Sequence, residues 1–147
     1  MLYLAHHADA VGPDVDPQRP LSAAGRMHAD RIARDAKQRG VNPVAIWHSG
    51  KLRARQTAHA YWRACNPMAE FAAIRGLQPT DPPEWIRDRL IGESREVLLV
   101  GHMPSLPAIL RLLTRNQSAT FPLHGLVALR ESGGGEGVWI EAYQLTS

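Results

Sequence analysis

Three short apolar runs in this chain each end in residues able to handle a phosphoryl group. Leu2–Ala5 leads into His6 and His7, Val44–Trp47 into His48, Ser49 and Gly50, and Val97–Val100 into Gly101 and His102. Arg53 and Arg55 follow closely on the second run. A neutral imidazole can attack phosphorus, and a guanidinium can hold phosphoryl oxygens in its planar fork. With two histidines, an arginine and no obvious serine or cysteine nucleophile, the set points to phosphoryl transfer. A metallohydrolase built on His6, His7 and His102 is a competing reading. Neighbouring residues of a strand face opposite sides, so His6 and His7 are not expected to share one ion. No His-x-x-x-His pattern or carboxylate pair supports a metal either.

The elements that must position these residues are readable from periodicity. The three runs lack a polar alternate, which fits strands buried on both faces of a parallel sheet. Val11 to Pro20, with Gly12 and three prolines, is a loop holding Asp14, Asp16 and Arg19. Leu21-Ser22 opens a helix, with Ser22 as its N-cap, that runs through Arg39 and stops at Gly40. Met27, Ile32 and Ala36 are read as sharing its buried face. A second helix covers Leu52 to about Ala64, and its basic first turn opposes the helix dipole unless the site holds an anion. Ala69–Ile74 reads as an edge strand, Gln78–Pro83 as a loop and Glu84–Ile91 as a short helix. Leu106, Ile109, Leu110 and Leu113 mark an amphipathic helix. Leu126–Arg130 and Val138–Tyr143 form a hairpin around the turn Ser132–Gly137. That turn does not open a helix, so its glycines are not a phosphate cradle. Strands alternating with helices imply an α/β fold, with a mostly parallel, mixed central sheet and right-handed crossovers. The strand carboxyl ends, where ligands bind in such folds, gather on one edge.

With 147 residues the chain is read as a single domain, 1–147. Cys65 is the sole cysteine and has no internal disulfide partner, which fits a reducing compartment. No apolar run approaches a membrane span, and no leader segment is visible, so a cytoplasmic protein without membrane contact is expected. The net charge of +3, carried by 15 Arg and 2 Lys, favours anionic substrates. The arginines are spread among acids without regular aromatic spacing, which argues against nucleic acid.

Four segments resemble the histidine phosphatase superfamily, and in particular its small phosphohistidine phosphatase (SixA-like) branch. Leu2-Tyr3-Leu4-Ala5-His6-His7-Ala8-Asp9-Ala10 is similar to the branch's Leu-Tyr-Leu-Val-Arg-His-Ala-Glu-Ala. Arg19-Pro20-Leu21-Ser22 with Gly25 is similar to its Arg-Pro-Leu-Thr…Gly. Ser49-Gly50-Lys51-Leu52-Arg53-Ala54-Arg55-Gln56-Thr57-Ala58 matches Ser-Pro-x-x-Arg-Ala-x-Gln-Thr-Ala, and Val97 to Pro104 matches Val-Leu-Leu-Val-Gly-His-Asn-Pro. The four stand in the right order across nearly the whole chain. The resemblance implies a phosphoglycerate-mutase-like fold with helices on both faces of the sheet. It implies a metal-independent phosphatase without cofactor, in which His7 becomes phosphorylated, Arg53 clamps the phosphoryl group and His102 stabilises its oxygens. Nearby cations would keep His7 neutral. Arg19 is a candidate for the substrate rim, and His48 and His124 for packing or supporting roles.

The chain departs from the pattern at two places. His6 replaces the family arginine before the nucleophile, which removes a permanently charged fork, and Gly50 replaces a proline. His6 is then expected to bind phosphate weakly when neutral and better as pH falls and it takes up a proton. No general acid stands in a recognisable motif, although Asp81 and Glu84 occupy the interval where larger relatives carry one. A phosphoramidate such as phosphohistidine would need little acid help. A phosphorylated protein or a small phosphorylated molecule is the expected partner. The alternative is a catalytically weakened phosphate-binding module on the same scaffold.

Overall fold

A computed structural model describes residues 1–133 and 137–146. One six-stranded sheet forms its centre, in the order β3-β2-β4-β1-β5-β6. The strands are β1 (Leu2–His6), β2 (Ala45–His48), β3 (Glu70–Ala73), β4 (Val97–Gly101), β5 (Leu126–Glu131) and β6 (Trp139–Leu145). β1 to β4 are mutually parallel, whereas β5 runs antiparallel to both β1 and β6. The mixed sheet and the edge position of β3 agree with the sequence reading. The hairpin's glycine turn lies partly outside the described residues, at 134–136.

Every residue of β1, β2 and β4 is buried, because helices cover both faces. Alternation within each strand divides the core in two. Tyr3, Ala5, Ile46, Leu98 and Val100 pack beneath α1 (Ala23–Gln38) and α2 (Leu52–Cys65). Leu2, Leu4, Trp47, Val97 and Leu99 pack beneath α3 (Pro83–Leu90) and α4 (Ser105–Thr114). Leu106, Ile109, Leu110 and Leu113 of α4 form the buried stripe that their spacing predicts, and each contributes about 1.5–3 kcal/mol by leaving water.

Ser22 caps α1 by accepting from the Gly25 N–H at 3.0 Å, while its own hydroxyl donates to Asp9 Oδ2 at 2.7 Å. The buried face of α1 is Gly25, Ala29, Ile32, Ala33 and Ala36. Met27 is 69% exposed, contrary to the sequence reading. Five residues from Met27 to Ile32 turn the helix through about 500°, which leaves the two about 140° apart. Gly25 lies so close beneath β1's exit loop that an added Cβ would collide with the Asp9 carbonyl oxygen. No helix among the described residues is long and apolar enough to cross a membrane.

Candidate active site

The carboxyl ends of β1, β2 and β4 release His7, Ser49 and His102 onto the same edge of the sheet. Because β5 is antiparallel to β1, its start lies at that edge too. The pairing runs from Leu2↔Leu129 to Ala5↔Leu126, and two further steps bring His7 opposite His124. The His6 N–H donates to the Gly125 carbonyl at 2.9 Å, and the His7 N–H to that of Gly101 at 3.2 Å.

The result is a cluster of imidazoles. The His7 ring centroid lies 4.4 Å from that of His6 and 5.0 Å from that of His102. His6 stacks on His124 at 5.0 Å with 5° between the planes. His6 and His7 were expected to face apart, yet a ring nitrogen from each, and one from His124, all lie within 4.8 Å of one another. The reason is that β1 ends at His6, so His7 is already beyond the reach of strand alternation.

Hydrogen bonds locate the protons. His7 Nδ1 is 2.7 Å from the Ala8 carbonyl, which can only accept, so Nδ1 carries the hydrogen and Nε2 keeps its lone pair. His6 Nδ1 accepts from the His124 N–H at 2.8 Å, so neutral His6 carries its hydrogen on Nε2. The Ser49 hydroxyl is 2.7 Å from His102 Nε2, and its oxygen also accepts from the Lys51 N–H at 3.3 Å. Ser49 thus holds the His102 ring through Nε2, and the direction of that bond follows the ring's tautomer. His102 is only 1% exposed, and its Nδ1 has no partner among the described residues.

All three rings are poor bases here. Burial first, then the neighbouring His7, lowers His6 to about 3. Burial, followed among the lowering influences by the Arg53 charge, takes His7 down to about 4 against the opposing bond to Ala8. Burial, with His7 and Arg53 next, lowers His102 to about 3. Without a bound phosphate, the ligand expected to draw a proton onto it, His6 is thus held neutral near pH 7. Its second nitrogen is occupied by the His124 N–H, and protonating it would break that bond inside an electropositive, dehydrated site.

Arg53 is set by Thr57. The Thr57 hydroxyl donates to the Arg53 carbonyl at 2.9 Å and accepts from the Ala8 N–H at 3.0 Å, tying the first turn of α2 to the exit of β1. Gln56 does the same for the loop, its Oε1 accepting from the Leu21 N–H at 2.7 Å. Arg19 donates from Nε to the Val11 carbonyl at 2.9 Å. Its charge reaches both His7 and His102. Among the described residues no carboxylate pairs with Arg19 or Arg53.

Arg55 points elsewhere. With Arg26, His59 and Arg63 it lines a groove of about 470 Å³ between α1 and α2, to which none of the clustered histidines contributes. That groove is separate from the histidine cluster. Asp81 serves its own loop, its Oδ2 accepting from the N–H groups of Gly76 and Gln78 at 3.2 and 3.0 Å. Glu84 is exposed in the first turn of α3. His48 Nδ1 accepts from the Gly50 N–H at 3.0 Å. Gly50 itself has φ +91°, a backbone that a proline, fixed near −65°, cannot adopt.

His6, His7 and His124 are close enough together to share an ion. His7 and His124 each have one nitrogen committed to a carbonyl and the other free, as a ligand should. His6 presents an N–H instead of a lone pair, and the nearest fixed charges are guanidiniums. This donor set suits an oxyanion better than a dication.

No protein-family model matches the chain, and no curated protein matches it. Solved structures do. The protein histidine phosphatase SixA complexed with tungstate superposes with a TM-score of 0.86 at 20% identity, over 98% of this chain and 95% of that one. A candidate phosphohistidine phosphatase SixA of Agrobacterium tumefaciens gives 0.79 at 27% identity, over 98% and 96%. A mycobacterial glucosyl-3-phosphoglycerate phosphatase in complex with VO3 gives 0.74 at 15% identity, over 99% of both chains.

Proposed function

We propose that this chain, which by fold belongs to the histidine phosphatase superfamily, is a metal-independent phosphatase that works through a phosphohistidine on His7. The observation that carries the reading is His7, its Nδ1 committed to the Ala8 carbonyl and its Nε2 free, with the His102 ring 5.0 Å away between centroids and the charges of Arg53 and Arg19 acting on both.

In the first step the His7 Nε2 lone pair attacks phosphorus. The bond from phosphorus to the leaving oxygen or nitrogen breaks, and its electron pair departs with the leaving group, which takes a proton from solvent. In the second step water attacks phosphorus, the P–N bond to His7 breaks, and inorganic phosphate forms. Arg53 and the Nε2–H of His6 would hold the phosphoryl oxygens beside His102, with Arg19 at the rim. Burial and the guanidinium keep His7 neutral and able to attack.

No carboxylate is hydrogen-bonded to these histidines among the described residues. A leaving group that needs little protonation, as in a phosphoramidate, is therefore favoured over an alkyl ester. Phosphohistidine in a protein fits this chemistry, and the SixA resemblance supports it. The weakened, phosphate-binding reading draws on one observation, the neutral His6 where the family carries an arginine. A hydrolysis assay on phosphohistidine peptide and a generic phosphoester, with and without chelator, separates the two. Turnover of the peptide, unaffected by chelator, is expected; phosphate binding without turnover would favour the alternative.

A further inference from the structure

We infer, on the reading of His7 as nucleophile, that His124 is a positioning residue of the site: its backbone and ring together fix where His6 and His7 keep their protons. His124 meets both residues through separate atoms. Its N–H donates to His6 Nδ1 at 2.8 Å, confining the His6 hydrogen to Nε2. Its Nδ1–H donates to the His7 carbonyl at 2.8 Å. That carbonyl belongs to the peptide joining His7 to Ala8, and the Ala8 carbonyl in turn holds the His7 Nδ1–H at 2.7 Å. Clamping the one peptide orients the acceptor on the next.

The placement of His124 is itself specified. Its φ is +56°, in the left-handed region where His, Asn and Asp are enriched among residues other than glycine. The His28 Nε2–H donates to the His124 carbonyl at 3.0 Å. The face of the ring rests parallel on His6.

Losing the ring would free the peptide after His7, loosen the Nδ1–H bond to Ala8 and let the His7 proton divide between its two nitrogens. A His7 protonated on Nε2 has no lone pair to attack with. His124 thus acts through His7, and its removal should lower kcat more than it changes KM.

The test uses His124→Gly, which keeps the N–H and the positive φ, and His124→Asn, which keeps both and offers an amide N–H to the His7 carbonyl. The ring ¹⁵N shifts of His7, the thermal midpoint, and kinetics on phosphohistidine peptide and a generic phosphoester are measured. Wild type should show the Nδ1–H form at His7 and the Nε2–H form at His6. His124→Gly should show mixed His7 forms and a kcat lower by about tenfold, the size of one lost hydrogen bond, with Asn recovering part of both. An unchanged His7 tautomer in folded His124→Gly, or a kcat loss without a tautomer change, overturns the inference. If His124→Gly does not fold, His124→Ala, which likewise lacks a donor to the His7 carbonyl, is read on the same terms: mixed His7 forms support the inference and an unchanged Nδ1–H form overturns it. A wild type that hydrolyses neither substrate would sink the phosphatase reading; a His7 tautomer that still shifts in His124→Gly would leave the positioning assignment standing.

Discussion

The Ser49 hydroxyl sits 2.7 Å from Nε2 of His102 inside the protein, and this contact anchors the His102 ring through that nitrogen. Ser49 follows β2 and His102 follows β4, strands that pair directly in the sheet. The polar residue at the end of one strand therefore prepares the catalytic candidate at the end of its neighbour. Ser49→Ala should release the His102 ring from that anchor. Hydrolysis should fall about tenfold, in line with roughly 1.4 kcal/mol for one hydrogen bond, with the fold intact. Steady-state kinetics and a melting curve check this; full activity in Ser49→Ala would mean that His102 needs no such help.

Acid should destabilise the protein through the same rings. His6, His7 and His102 bind protons only near pH 3, 4 and 3 when folded, against about 6.5 unfolded. Between those values the unfolded chain holds more protons than the folded one, so stability falls as pH drops. The slope is at most about 1.4 kcal/mol per pH unit for each ring. Above about 6.5 these residues add no pH dependence. Melting midpoints from pH 7.5 to 4.5 should decline steadily below 6.5. A flat profile would mean that the rings are not held neutral by burial.

Much of this was legible in advance because the three apolar runs that end in polar residues are parallel strands, and parallel strands share a carboxyl edge. His7, Arg53 and His102 were named from that pattern. His124 is legible as a packing or supporting residue, but the atoms it meets are not, since they depend on β5 pairing antiparallel with β1 rather than only with β6. Residues more than a hundred positions apart meet through that register, and nothing local in Pro122-Leu123-His124-Gly125 announces it. Ser49 and Thr57 were visible as motif letters, but their work lies in hydroxyl geometry that spacing does not reveal. Met27 was misassigned because five residues do not complete a whole number of helical turns.

His6 and His124 should behave as a coupled pair. A longer arginine side chain at position 6 would have to displace the His124 ring stacked on His6 at 5.0 Å, so His6→Arg alone should lower activity despite its added charge. His6→Arg combined with His124→Gly should exceed the single His6→Arg variant, a non-additive result expected of residues in contact. A double-mutant cycle on kcat/KM checks this; strict additivity would show that the two act independently.

Gly25→Ala tests the packing that brings α1 to the exit of β1. The new methyl would meet the Asp9 carbonyl, and overpacking of this kind costs about 1–3 kcal/mol. Denaturant unfolding should show a lower midpoint with an unchanged slope. Wild-type stability in this variant would mean that the helix and loop can separate freely.

The direct test of the central claim is to trap the enzyme during turnover of a labelled phosphoryl donor and locate the label. The site predicts an acid-labile, base-stable phosphoryl group on His7, absent from His7→Ala together with all activity, and unaffected by chelator. Label on another residue, or hydrolysis surviving in folded His7→Ala, would contradict it.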